Sequence, residues 1–381
     1  MRIRFDMPPK TLGRCLLRPL SADLSADHGK GAASHTMPRE FGKYTLLHPI
    51  AKGGTAELIL ATTPSNPQII IKRLHPSRCL DPEHVDMLSN EAHIASNLAH
   101  PNVVRILDHG CIDNIHYIAM EAIDGKDLRS IIQQMKQRGM KEFPLDHALT
   151  IVIGVARALT HIHEQRCRDG LPLNIVHGDI SPQNVLVTTT GCIKVIDFGA
   201  SQCTTITRSN TDQGRVPGTL AYMSPEQARG EPIDHRSDIF SLGIILFELT
   251  TSRRLFLGED DLETLYLVRD GTCPSGAHIK PGYPQRLDAI MSKALAKNTA
   301  RRYQSARELL TDIETFVRTE GVRTGDHHLA QWMHELFDHD TQPSQGALRG
   351  RNAMVLTIVV AIVLLVAMAW AVTAGRSLLL R

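Results

Sequence analysis

The stretch "NIVHGDISPQNVLVTTTGCIKVIDFGA", Asn174 to Ala200, sets Asp179 and Asn184 five residues apart and a further carboxylate, Asp197, thirteen residues beyond Asn184. "NVLV", "TTTG" and "CIKVID" read as strand, turn and strand, an antiparallel hairpin. Asn184 starts one strand and Asp197 ends the other, so pairing brings them together. An amide oxygen beside a carboxylate is a hard-oxygen site suited to Mg²⁺ holding phosphates. Asp179, in the loop just before, faces the same spot from another side. A carboxylate near a metal but not bound to it is what a proton acceptor for an incoming hydroxyl requires. Taken singly, each is more often a turn or cap residue; the three together, with "DFG" closing the hairpin, outweigh that reading.

Two further charges stand where charges are awkward. From Tyr44 to Lys72 short β-like runs are broken by "KGG" and "TPSNP", and the last run, Ile69 to Ile71, ends on Lys72, which alternation places on the same face as Ile70. "DPEHVDMLSNEAHIASNLAH" then reads as a helix with Asp81 as N-cap and Pro82 at its first position. Leu88, Glu91, Ala95 and Leu98 share one face of it, so Glu91 points where the apolar residues point. Unpaired burial of either charge is costly, and a Lys72–Glu91 ion pair removes both problems. For either residue alone, a solvated surface charge is an equal alternative.

Further along, "HALTIVIGVARALTHIHE" is a strongly apolar helix and "DIFSLGIILFELT" is apolar nearly all round, the mark of a core helix in a larger, mainly helical lobe. "HLAQWMHELF" (328 to 337) is amphipathic and expected to pack on that lobe as a last helix. A membrane-surface role for it is disfavoured, because its polar face lacks Lys and Arg.

Composition narrows the classes. The 381 residues are 42% hydrophobic and 22% charged, enough for a two-lobed globular body. A formal charge of +2 and only 4% aromatics argue against nucleic acid as a partner. Seven scattered cysteines form no CxxC pair, which argues for a reducing compartment and against a zinc site. Residues 1–40 read as a flexible arm without the apolar core of a signal peptide, with Met37 an alternative start. From Ala353 to Gly375, "AMVLTIVVAIVLLVAMAWAVTAG" runs without a charge for longer than the ~20 residues that cross a bilayer, and a transmembrane helix is expected there. Arginines flank it on both sides, so the positive-inside bias hardly orients it. A tail, 376–381, follows, with no exported domain expected.

The motif set resembles the protein kinase family, in its bacterial serine/threonine (Hanks-type) branch, over Tyr44 to about Arg318, roughly seven tenths of the chain. "HGDISPQN" resembles HRDxxxxN, "DFG" (197 to 199) matches fully, "MSPE" resembles APE, "IIIK" resembles VAIK, and "DHRSDIFSLG" resembles the helix that anchors the catalytic loop. The resemblance implies an α+β fold of two lobes, a β-rich N-lobe over a larger helical C-lobe. The kinase domain would run over 41–320, the terminal helix and juxtamembrane linker over 321–352, and the membrane span over 353–375.

It implies that Lys72, fixed by Glu91, holds the α/β-phosphates of ATP, that Asp179 is the base, and that Asn184 and Asp197 bind Mg²⁺, or Mn²⁺ in its place. Nucleotide contacts would come from Ala51, Gly53, Gly54, Ala56, Leu58, gatekeeper Met120, the hinge Glu121 to Ile123, and Asp127 at the ribose. Thr219 would sit at the substrate P+1 position, Asp238 would anchor the loop, and Glu226 would pair with Arg302. Expected partners are protein substrates, a second copy for trans-autophosphorylation, and the inner membrane, with the kinase domain on the cytoplasmic side where ATP is.

Four departures qualify the resemblance. "AKGGTA" carries Ala51 and Ala56 where the first and third Gly of GxGxxG belong, which weakens the phosphate loop without abolishing it. Ser181 replaces a Lys that neutralises the transferred phosphoryl group. Gly178 replaces the Arg of HRD, so phosphorylation of Thr204, Thr205, Thr207, Ser209 or Thr211 is not expected to switch activity through that pocket. "HGD" also occurs in small-molecule kinases of the same superfamily, and the four departures together admit a pseudokinase scaffold; "GTLAYMSPEQ", Asp238 and Arg302 favour a protein substrate over the former.

Overall fold

The computed structural model describes residues 38–198 and 220–337. Of these, the residues up to Ala330 form one compact unit, and Gln331–Phe337 belong to a second.

A six-stranded antiparallel sheet comes first. It holds β1 (Arg39–Phe41), β2 (Tyr44–Lys52), β3 (Ala56–Thr63) and β4 (Asn66–Leu74), then after helix α1 (Pro82–Ser96) β5 (Ile106–Ile112) and β6 (Ile115–Glu121), in the order β1-β2-β3-β4-β6-β5. The sheet thus begins at Arg39, two residues ahead of the expected boundary at 41. Its alternating inward residues, among them Tyr44, Leu46, Ile59, Ala61, Ile69 and Ile71, make one apolar cluster with Tyr117 and Ala119. α1 starts as expected: the Asp81 side chain accepts from the Glu83 N–H, and Pro82 occupies the first turn, where no backbone donor is needed. Leu88, Glu91, Ala95 and Leu98 are all buried.

Helices build the second lobe. After β7 (Gly125–Asp127) come α2 (Leu128–Gln137), the apolar α3 (Leu145–His163), the hairpin β8 (Val185–Thr188) and β9 (Ile193–Val195), and then α4 (Pro225–Ala228), α5 (His235–Thr251), α6 (Asp261–Asp270), α7 (Gly276–Ile279), α8 (Gln285–Ala294), α9 (Ala306–Glu320) and α10 (Asp326–Phe337). α5 is buried on every side, and α3 nearly so, as their patterns require. α3 is also long and apolar enough to cross a membrane, but it is a core helix of this lobe. The expected amphipathic helix forms as α10; within the first unit its Leu329 is buried and His328 Nε2 bonds Asp146 at 2.8 Å. The span expected at 353–375 lies outside the described residues.

The hairpin is held from two sides. Gly154 of α3 lies where a Cβ would stand 2.5 Å from Ile193, so the missing side chain lets β9 rest against α3. On the other side, Val195 N–H donates to Asn102 O at 2.8 Å, Val104 N–H to Val195 O at 3.0 Å, and Asn102 Nδ2 to Ile193 O at 2.8 Å. The segment leaving α1 is thereby stitched to the strand that leads to Asp197.

Candidate active site

Strand register sets the first part of the site. β4 lies between β3 and β6, with Lys72 opposite Leu58 on one side and Ile118 on the other. From there its ammonium reaches both Glu91 oxygens, at 2.7 and 2.9 Å, and Asp197 Oδ1 at 2.9 Å. Burial works against the Lys72 charge, but the Asp197 and Glu91 carboxylates prevail and hold its pKa above the ordinary lysine value. The ion pair expected with Glu91 is present, and Asp197 joins it from the other lobe. A permanent cation thus stands at the junction of sheet, α1 and hairpin.

The hairpin pairs Val185 with Val195, and Ile196 N–H donates to Asn184 O at 3.0 Å, so Asn184 and Asp197 stand at the same end as expected. Asn184 Nδ2 donates to Asp179 Oδ2 at 2.8 Å and to its carbonyl at 2.9 Å. That orientation leaves the Asn184 amide oxygen as its atom for a cation, and with the Asp197 carboxylate it makes an oxygen donor set of the kind Mg²⁺ prefers. Asp197 has φ +64, a left-handed conformation rare for a residue with a side chain and a sign of local strain at a working position. Next to it, Phe198 is buried with its ring 4.9 Å from that of His177.

The loop carrying Asp179 hangs from one carboxylate. Asp238, buried in the first turn of α5, accepts through Oδ1 from Gly178 N–H and through Oδ2 from His177 N–H and His163 Nε2, each at 2.8 Å. Burial would raise the Asp238 pKa, yet the His163 bond and the neighbouring donors hold it below the usual aspartate range. Gly178 has φ +77, and its carbonyl accepts from Gln227 Nε2 at 2.8 Å, so both of its backbone groups are engaged in a conformation suited to glycine. The sequence pointed to Gly178 only for the arginine it lacks; its backbone role was not visible there.

The other residues expected at the nucleotide belong to β2, β3 and the turn between them, the end of β6 and the segment after it, and the end of β7. Ala51 pairs with Leu58 across β2 and β3, and Gly53 N–H closes the turn onto Ala56 O at 2.9 Å, with Gly54 at its open tip. His75, which sequence reasoning passed over, braces this turn: its N–H donates to Thr55 O at 3.0 Å and its Nε2 lies 2.8 Å from Gly53 O. Met120 and Glu121 end β6, and Ile123 follows half-buried. The Glu121 side chain turns to Lys194 at 2.6 Å and to Arg105 N–H at 3.0 Å, tying the segment between the lobes to β9. Asp127 caps α2, accepting from Ser130 N–H at 2.9 Å and Ser130 Oγ at 2.6 Å.

Glu226 and Arg302 form the buried pair expected, with bonds of 2.6 and 2.7 Å, and Ser237 Oγ adds a third donor at 2.6 Å. Ser181 is buried with no hydrogen-bond partner for its Oγ among the described residues. Thr219, Gly199 and the Thr and Ser residues between 204 and 211 lie outside the described residues. The described cysteines are free thiols.

A strand lysine bridging a helix glutamate and a hairpin aspartate, over a loop that presents Asp179 and Asn184, is the residue arrangement of a two-lobed kinase fold. The chain belongs to the protein kinase family: residues 44–312 match the protein kinase domain. It is 38% identical over 281 residues to the tyrosine-protein kinase MasK of Myxococcus xanthus, covering 73% of this chain and 43% of that protein. It is also 38% identical over 278 residues to the serine/threonine-protein kinase PrkC of Bacillus subtilis, covering 72% and 40%. The chain thus spans about two fifths of the length of these curated relatives. Among solved structures it is similar to the kinase domain of Mycobacterium tuberculosis PknI, at 26% identity with a TM-score of 0.54, covering 75% of this chain and 99% of that one.

Proposed function

We propose that this chain transfers the γ-phosphoryl group of ATP to serine or threonine hydroxyls of proteins, with Mg²⁺ as the metal. The observation that carries the reading is Lys72 bonded at once to Glu91 and Asp197, an arrangement that a scaffold has no need to keep. In the proposed reaction, Lys72 orients the α/β-phosphates and Glu91 keeps its ammonium from swinging away. Asp197 and Asn184 supply the oxygens for the metal, which when bound neutralises charge on the β- and γ-phosphates. Asp179, held by Asn184 and by the loop that Asp238 anchors, accepts the proton of the incoming hydroxyl as the O–P bond to the acceptor forms and the bond to ADP breaks. Ala51, Gly53, Gly54, Ala56, Leu58, Met120, Glu121, Ile123 and Asp127 would line the nucleotide.

Labelled phosphate from ATP, entering the protein itself or a generic basic protein, tests this against Asp179→Ala. Label that is lost in the variant is expected. Nucleotide binding without label in either protein would instead indicate a pseudokinase, and label entering only small alcohols would indicate a small-molecule kinase. One relative bears the name of a tyrosine kinase, so phosphoamino-acid analysis belongs in the same experiment; Thr219 at the proposed P+1 position favours serine and threonine. We place 353–375 across the inner membrane with the kinase domain on the cytoplasmic side. Recovery of the full chain in the soluble fraction of lysed cells would overturn that placement.

A further inference from the structure

A cavity of about 330 Å³ lies in the helical lobe, between α2, the segment before α3, the loop after Asp179 and the end of α5. Its walls are partly apolar, with Met135, Phe143 and Leu249, and Ser181, two residues past Asp179, also lines it. Its charges do not balance. Arg129, Lys136, Lys141 and Arg253 line it, and none of the four forms an ion pair among the described residues.

The acidic groups at the same cavity are already neutralised. Glu142 is paired with Lys280 at 2.5 Å. Glu248 is buried, accepts from Tyr222 Oη at 2.7 Å and from Leu255 N–H at 3.2 Å, and lies 3.1 Å from Arg254 Nε. Burial raises its pKa against the opposing pull of Arg254 and the Tyr222 bond. The cavity therefore presents a positive field around a buried hydroxyl, Ser181 Oγ, that has no hydrogen-bond partner among the described residues. A buried hydroxyl without a partner favours a ligand that can accept its hydrogen bond.

We infer that this cavity receives acidic side chains of the protein substrate close to the phosphorylated residue, making the enzyme selective for Ser or Thr flanked by Glu or Asp. This rests on the proposed kinase function. The methylenes of a glutamate fit the apolar walls, its carboxylate meets the unpaired Arg and Lys side chains, and Ser181 Oγ donates to it. A lysine or arginine in the same place would face four cations, with Glu142 and Glu248, the carboxylates that line it among the described residues, already paired.

Peptide binding measured without turnover separates this inference from the kinase reading. Fluorescein-labelled peptides with one Ser flanked by Glu, by Gln or by Lys are titrated with the full chain, and fluorescence anisotropy is followed. The Glu peptide is expected to bind at least tenfold more tightly than the Gln peptide at low salt, with the gap narrowing as salt is added. Arg129→Glu with Arg253→Glu, both at exposed positions, should abolish that preference and favour the Lys peptide; Ser181→Ala should weaken the Glu peptide alone. Equal binding of Glu and Gln peptides, a preference that survives the double charge reversal, or its complete suppression by millimolar inorganic phosphate would overturn the inference. Phosphate transfer to the same peptides reports separately on the kinase function.

Discussion

Removing the Arg302 guanidinium should unfold a large part of the stability of the helical lobe. Arg302 is 2% exposed, and every N–H it carries is engaged: Nε to Ala296 O at 2.6 Å, Nη1 to Glu226 and to Arg236 O at 3.1 Å, Nη2 to Glu226 and to Lys297 O at 3.2 Å. Its plane also lies 4.7 Å from the Phe240 ring. In Arg302→Ala, Glu226 keeps only Ser237 as a side-chain donor, and three carbonyls lose a partner. Breaking a buried pair by deleting one member costs about 3–5 kcal/mol, and the orphaned carbonyls push toward the upper figure. At roughly 2–4 °C per kcal/mol for a body of this size, the melting temperature followed by circular dichroism at pH 7 should fall by about 10 °C. Arg302→Lys keeps the charge with at most three donors and should fall between. Arg302→Met combined with Glu226→Leu leaves no unpaired charge and should lose less than the single alanine. A fall of under about 2 °C in Arg302→Ala, the size of an exposed pair, would refute the argument.

Lys72→Met should remove phosphate transfer, since it deletes the cation between Glu91 and Asp197, and should also lower the melting temperature because buried Glu91 loses its ammonium partner; transfer retained at even a tenth of the wild-type rate would place the phosphate contact elsewhere. Gly178→Ala should cost about 1 kcal/mol through its left-handed backbone, and Gly178→Asn less, as read by urea midpoints. For acid stability, burial raises the Glu226 pKa but Arg302 and Ser237 overcome it and hold it low, as His163 does for Asp238. Both groups therefore stabilise the fold above the ordinary carboxylate pKa of about 4, and that stabilisation is lost as pH falls through their lower folded values. In Arg302→Ala burial acts on Glu226 without the cation that opposed it, so its protonation relieves the variant and the stability gap to the wild type should narrow as pH falls; a gap that widens on acidification would contradict this.

Much of the site could be read from the chain because its residues sit at element ends. Asp81 and Pro82 announce α1, alternation carries Lys72 to the face that helical spacing gives Glu91, and the turn "TTTG" returns Asp197 to Asn184. What escaped was fixed by tertiary contacts that have no local pattern. Asp238 was placed at the loop by resemblance alone; its spacing is that of any acidic residue in the first turn of a helix, and only the fold reveals its three donors. His75 and Lys194 read as ordinary surface residues until the turn at Gly53 and the strand end at Glu121 are placed beside them. Ser181 reads as a missing lysine, and that it is buried at a cavity wall depends on α2 and α5, which are far from it in sequence. Asp127, expected at the ribose, is seen in the plainer work of a helix cap.

The suspension of the Asp179 loop from Asp238 has a consequence for hydrogen–deuterium exchange. The amide protons of His177 and Gly178 point into a carboxylate that belongs to the most buried helix of the lobe, so neither can meet solvent unless α5 itself is exposed. Loops commonly exchange through small local openings. Here these two amides should exchange at the rate set by global opening, alongside the core of α5, and the catalytic loop would belong to the slowest-opening cooperative unit of the molecule.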